Sequence, residues 1–148
     1  MRLVIGLVVV VVFGLAIAGV GTGGPPPYHQ PAGAKVPAPT GARLAASKRR
    51  IEQGSALVRK GRDAFADEGC DACHSIAATG AKGRLGPRLD VLYDPERAIE
   101  GDITQPRAEI VPGFQGNLMP ADYAKRLEPE EIRALAAFIK AASGAPPR

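Results

Sequence analysis

Apolar spacing divides the chain into stretches of different character. Residues 3–20 contain no charged or polar side chain, and a single Arg2 precedes them. As a helix, these roughly 18 residues would span ~27 Å, close to the ~30 Å hydrocarbon layer of a bilayer. From 21 to 42, Pro25, Pro26, Pro27, Pro31, Pro37 and Pro39 stand among glycines and alanines. That composition cannot bury a core and reads as a semi-rigid spacer, reaching at most ~70 Å when extended. Arg43, Lys48, Arg49 and Arg50 then give residues 43–53 a basic character. Helical periodicity sets in at about residue 54. Leu57, Val58, Gly61, Ala64 and Phe65 form one stripe, with Ser55 placed to cap a helix running to about Glu68. Asp94-Pro95 opens a shorter helix that Pro106 must end. Ile132, Leu135, Ala136 and Ile139 repeat at i, i+3, i+4 and i+7. Pro129 suits the first position of that last helix, Glu130 and Glu131 favour its positive end, and Gly144 stops it. The pattern predicts an all-α domain over 54–148, after an apolar segment at 1–20 and a linker at 21–53.

The apolar segment has two readings. A retained membrane anchor fits its length. A cleaved secretory signal would have a shorter apolar region of ~7–15 residues and a small-x-small site, which Ala16-Ile17-Ala18 supplies. The run continues past that site without a polar break, which favours the anchor. Either outcome exports the rest of the chain. The expected location is the cell membrane, with the folded domain on the extracytoplasmic side; a free exported protein is the alternative.

Charge follows the same division. The net charge of +4 splits into +5 over residues 1–53 and −1 over residues 54–148. The basic pI of about 9.3 therefore belongs to the leader and linker and does not point to nucleic acid. Lys48-Arg49-Arg50 reads as a solvated helix face or as a contact for anionic headgroups. Lys82, Arg84 and Arg88 form a possible local patch.

Candidate chemistry is concentrated in Cys70-Asp71-Ala72-Cys73-His74. Cys-x-x-Cys-His is a c-type haem attachment motif. Its two thiols add across the two vinyl groups of the porphyrin, and the adjacent imidazole supplies the proximal ligand to iron. The chain has only these two cysteines, so none is left for a disulfide. A structural zinc site would need about four ligands, and the one other histidine is His29, in the proline-rich stretch. A thioredoxin-like dithiol would follow a strand of a βαβ unit, and no β-rich run lies upstream.

The sixth iron ligand is expected to be a methionine. The two methionines are Met1 and Met119, and Met119 lies far enough downstream for a loop to pass round the haem edge. Thioether opposite imidazole raises the reduction potential relative to bis-histidine ligation. His29 would have to fold back over the domain, against the extended habit of proline-rich linkers. A ligating histidine also needs an acceptor for its other ring N–H. Aromatic residues are few and Trp is absent, so the core is thin without the bulk of a haem.

Residues from about 54 to 143 resemble a single-haem class I cytochrome c. The order of motifs is Gly61-x-x-x-Phe65, Gly69-Cys70-Asp71-Ala72-Cys73-His74, Gly86-Pro87-x-Leu89, Met119-Pro120 and Leu135-Ala136-Ala137-Phe138-Ile139. The stretch from Pro106 through Met119-Pro120 is similar to cytochrome c domains attached to haem–copper oxidase subunit II. The resemblance implies three to five short helices wrapped around one covalent haem c, with Phe138 crossing close to Gly61. It also implies that the Pro87 carbonyl takes the His74 ring N–H, where an ordinary Gly-Pro turn is the alternative.

These readings converge on a membrane-anchored cytochrome that passes single electrons and is not itself an enzyme. Cys70, Cys73, His74, Met119 and Pro87 are its cofactor-binding residues, with His74 and Met119 on the metal. The expected partners are membrane-bound redox complexes, such as a quinol-oxidising complex or a terminal oxidase. A haem peroxidase, a redox or gas sensor, and a subunit of a larger oxidoreductase are the competing classes.

Overall fold

The computed structural model describes residues 38–144. The apolar segment 3–20, most of the proline-rich spacer and His29 lie outside the described residues. Among the described residues, no helix is long and apolar enough to cross a membrane.

Three helices form where the periodicity places them, each with the expected end signal. Helix α2, Ala56–Asp67, is capped by Ser55, whose Oγ accepts from the Val58 N–H at 3.3 Å. Helix α4, Glu96–Thr104, stops before Pro106. Helix α6, Pro129–Ser143, begins at its proline. Glu131 reaches back to accept from the Glu128 N–H at 2.9 Å while the Glu128 side chain caps in return, so two otherwise unpaired donors are satisfied.

Helix α6 is the centre of the domain. Ala134, Leu135, Ala136, Ala137, Phe138 and Ile139 are all buried, because α1 (Gly41–Glu52), α2, α4 and a 3₁₀ turn at Leu89–Val91 surround it. The tightest crossing is with α2. A Cβ built on Gly61 would lie 1.8 Å from the Ala134 carbonyl oxygen, so only glycine lets the two backbones come this close. One turn further along, the Phe65 and Phe138 rings meet with centroids 5.3 Å apart and tilted by 55°.

The folded unit begins earlier than expected. Helix α1, Gly41–Glu52, occupies the stretch read as the end of the linker. It docks on the C-terminus of α6, where carbonyls have no intrahelical partner. Ser47 Oγ donates to the Ala142 carbonyl at 2.6 Å, and Arg50 Nε to the Ala141 carbonyl at 2.8 Å. Helix α1 therefore packs on the domain read as starting at residue 54. Only Ser47 and Ile51 of this helix are buried, a stripe too thin to stand out against its charges.

Six α-helical segments are present among the described residues. The increase over three to five comes from α1 and from two single turns, α3 at Cys70–Cys73 and α5 at Tyr123–Arg126. A short antiparallel hairpin joins β1, Ser75–Ile76, to β2, Ala81–Lys82, in the register Ser75↔Lys82 and Ile76↔Ala81. Two-residue strands leave no periodicity to read, and the fold remains all-α in character.

Arg88 also departs from its expected place in a surface patch. Its Nε lies 2.8 Å from Asp90 Oδ1, and the Asp90 side chain is fully buried. Asp90 Oδ2 accepts from the Ala77 N–H at 2.6 Å. This pair ties the hairpin to the 3₁₀ turn, and Lys82 and Arg84 are left as the exposed cations there.

Candidate haem site

The attachment motif is built on a single helical turn. Gly69 takes the left-handed conformation, φ +68°, between α2 and α3; this costs a glycine little. The turn places Cys70 and Cys73, one turn apart, on the wall of a cavity of about 280 Å³. Both cysteines are half-buried and neither is in a disulfide. Backbone at His74 becomes extended (φ −107°, ψ 150°), so the imidazole leaves the helix and joins the same wall.

Two glycines press the segment after the hairpin against this turn. A Cβ on Gly83 would lie 2.3 Å from the Cys73 carbonyl carbon, and one on Gly86 would lie 2.5 Å from His74 Cε1. The Gly86 N–H also donates to the Cys73 carbonyl at 2.9 Å. With the ring close against Gly86, His74 Nδ1 lies 2.8 Å from the Pro87 carbonyl oxygen. A carbonyl only accepts, so Nδ1 carries the proton and Nε2 is left as the lone-pair donor.

Burial favours the neutral forms of His74 and Cys70. Burial pushes the His74 imidazole below its ordinary range, against a smaller upward pull from the Pro87 carbonyl. The Cys70 thiol is pushed up to about 11, first by burial and then by the Glu68 charge, with a hydrogen bond to Tyr123 acting the other way.

Met119 reaches the cavity from the loop between α4 and α5. Phe65, Leu89, Ile99, Leu135 and Ile139 supply apolar lining. Asp94 is buried, lines the cavity and has a side-chain oxygen, Oδ1, without a hydrogen-bond partner. Two thiols, an imidazole and a thioether on one apolar-lined cavity are the donor set of a covalently held haem, and the residues present fit that group.

A cytochrome c family profile matches residues 58–143. The chain belongs to the cytochrome c family. This cytochrome carries covalently bound haem c and is an electron-carrying haem protein. Its match is to the family as a whole and does not single out the oxidase-attached branch. The crystal structure of the c-type cytochrome SorU from Sinorhizobium meliloti is similar at 22% identity, covering 71% of this chain and 97% of that one, with a TM-score of 0.37. No curated protein matches.

All five residues expected at the site, Cys70, Cys73, His74, Pro87 and Met119, line this cavity. Sequence reasoning missed Gly83 and Tyr123. Gly83 has no motif of its own beyond a three-residue glycine spacing with Gly80 and Gly86. Tyr123, four residues beyond Met119, is 6% exposed and lines the cavity. Nothing in its local sequence announces that place.

Proposed function

We propose that this cytochrome is a membrane-anchored carrier of single electrons. In this reading Cys70 and Cys73 hold the haem, His74 and Met119 ligate its iron, and Pro87 fixes the His74 ring. The observation that carries it is the 2.8 Å contact of His74 Nδ1 with the Pro87 carbonyl, which commits Nε2 to the role of donor. When bound, the haem supplies a one-electron Fe(III)/Fe(II) couple. The chain's part is to keep the ligands in place while the charge changes. A ring packed close against Gly86 and hydrogen-bonded to the Pro87 carbonyl cannot turn freely, and an apolar lining limits water near the metal.

Exchanging Met119 tests the ligand set. In Met119→His, an imidazole replaces the thioether, so the far-red sulfur-to-iron band of the oxidised protein should vanish. The potential should fall by on the order of 100 mV, within the ~0.8 V range that axial ligands span. His29→Ala should leave both unchanged. A band that survives in Met119→His rules Met119 out as the ligand.

Anchoring rests on the apolar run at 3–20 and the proline-rich spacer after it. A tethered domain searches a shell next to the membrane, at an effective concentration on the order of millimolar for a short linker and lower for a longer one. The fitting partner is a membrane-bound redox complex facing the same compartment, such as a quinol-oxidising complex or a terminal oxidase. Mass spectrometry of the mature chain should find residues 1–20 retained in the membrane fraction. Shortening residues 21–37 should slow electron transfer to that partner while spectrum and potential stay unchanged. A mature soluble chain starting at Gly19 overturns the tether.

A further inference from the structure

We infer that Arg126, through its ion pair with Glu68 and its stacking on Tyr123, is a positioning residue that closes the Met119 loop over the sixth iron position. This rests on the reading of Met119 as that ligand. The loop lies between α4 and α5, and its Ile110, Leu118 and Met119 line the cavity. Asn117, just before Leu118-Met119, sits at φ +64°, a conformation that asparagine adopts more readily than most residues. The first buried side chain after Met119 is Tyr123. It lies in the four-residue helix α5, too short to be stable by its own hydrogen bonds.

Tertiary contacts hold it instead. Tyr123 is 6% exposed and lines the same cavity as Cys70. The Arg126 guanidinium carbon lies 4.8 Å from the centroid of the Tyr123 ring. Arg126 Nη2 reaches Glu68 Oε2 at 2.7 Å, and its Nε lies 3.8 Å from Asp122 Oδ2. Glu68 is the residue that ends α2, two positions before Cys70. The cluster therefore joins the wall that carries the attachment motif to the segment that carries Met119. A lone exposed ion pair contributes little. Here the cation is shared between a carboxylate that is 29% exposed on its side chain and a buried ring, which strengthens it.

The consequence is read by an external ligand that competes with Met119. Its apparent affinity scales with the fraction of molecules whose loop is open. In the full-length oxidised holoprotein, imidazole affinity should rise roughly tenfold in Arg126→Met and less in Glu68→Gln, the scale set by one ion pair plus one cation–π contact. Arg126→Lys should recover part of the loss. Without imidazole, the far-red band, the potential and the covalent haem should match wild type in all three. Raising the salt concentration should also increase imidazole affinity in the wild type itself, because screening weakens the pair; this needs no variant to fold. Met119→Ala is the reference for a fully open site. Wild-type affinity in Arg126→Met and Glu68→Gln, with no salt response and with Met119→Ala binding far more tightly, overturns the inference. If Met119→Ala binds no better than wild type, the failure belongs to the ligand assignment.

Discussion

Replacing Cys70 and Cys73 together by alanine should release the haem and unfold most of the domain with it. No other cysteine exists to substitute for either thioether. The cavity they face is about 280 Å³ and largely apolar. Without the haem its apolar lining loses packing partners on that side, and the whole stability of a domain is only ~5–15 kcal/mol. Acid–acetone extraction should leave haem on the wild type and remove it from the double variant. The variant should also melt at much lower temperature by circular dichroism. Each single variant should keep its haem through the remaining thioether. If haem washes out of the wild type, the assignment of both cysteines fails.

Gly61→Ala should cost several kcal/mol although it improves the intrinsic helix propensity of α2. Alanine is favoured over glycine by ~1 kcal/mol in a helix interior. Against this, the new Cβ would lie 1.8 Å from the Ala134 carbonyl oxygen, 2.4 Å from its carbon and 2.8 Å from Phe138 Cβ. The first two are backbone atoms, so no rotamer change relieves the clash and α2 must move away from α6 by an ångström or more. That separation opens the Phe65–Phe138 contact as well. Overpacking costs ~1–3 kcal/mol when side chains can yield, and more is expected where backbone must. Gly101→Ala is the matched control: it lies in α4 with nothing within 4 Å of a built Cβ, and should be neutral or stabilising by up to ~1 kcal/mol. Denaturant unfolding of the two holoproteins decides it. A Gly61→Ala protein as stable as Gly101→Ala would mean that the crossing is looser than described.

Local sequence carried much of this molecule. Cys70, Cys73 and His74 declare their chemistry because haem attachment needs two thiols and an imidazole within one helical turn, a constraint satisfied by adjacent residues. Helices α2 and α6 are legible because a single face of each is buried along several turns, which sets a period. Their starts are legible because Ser55 and Pro129 act on amides a few positions away. Met119 and Pro87 needed more, since nothing in their own neighbourhoods ties them to the iron. Scarcity of methionine and the family resemblance pointed to them, and the fold brings both to the cavity.

What only the tertiary structure decided are contacts whose partners lie far apart in the chain. Helix α1 was hidden because it buries little of itself and gains its place by satisfying carbonyls about 90 residues later, at Ala141 and Ala142. The Asp90 carboxylate reads as a surface charge until the hairpin amide of Ala77 and the Arg88 guanidinium enclose it. Gly86 shows its purpose only when the His74 ring lies against it, and Tyr123 only when α5 packs onto the cavity. The division has one physical origin. Helical period, capping and the attachment motif are short-range and leave a mark within a few residues. Close backbone approach, burial of charge and cross-cavity hydrogen bonds depend on which surfaces meet, and that is set only when the whole chain packs.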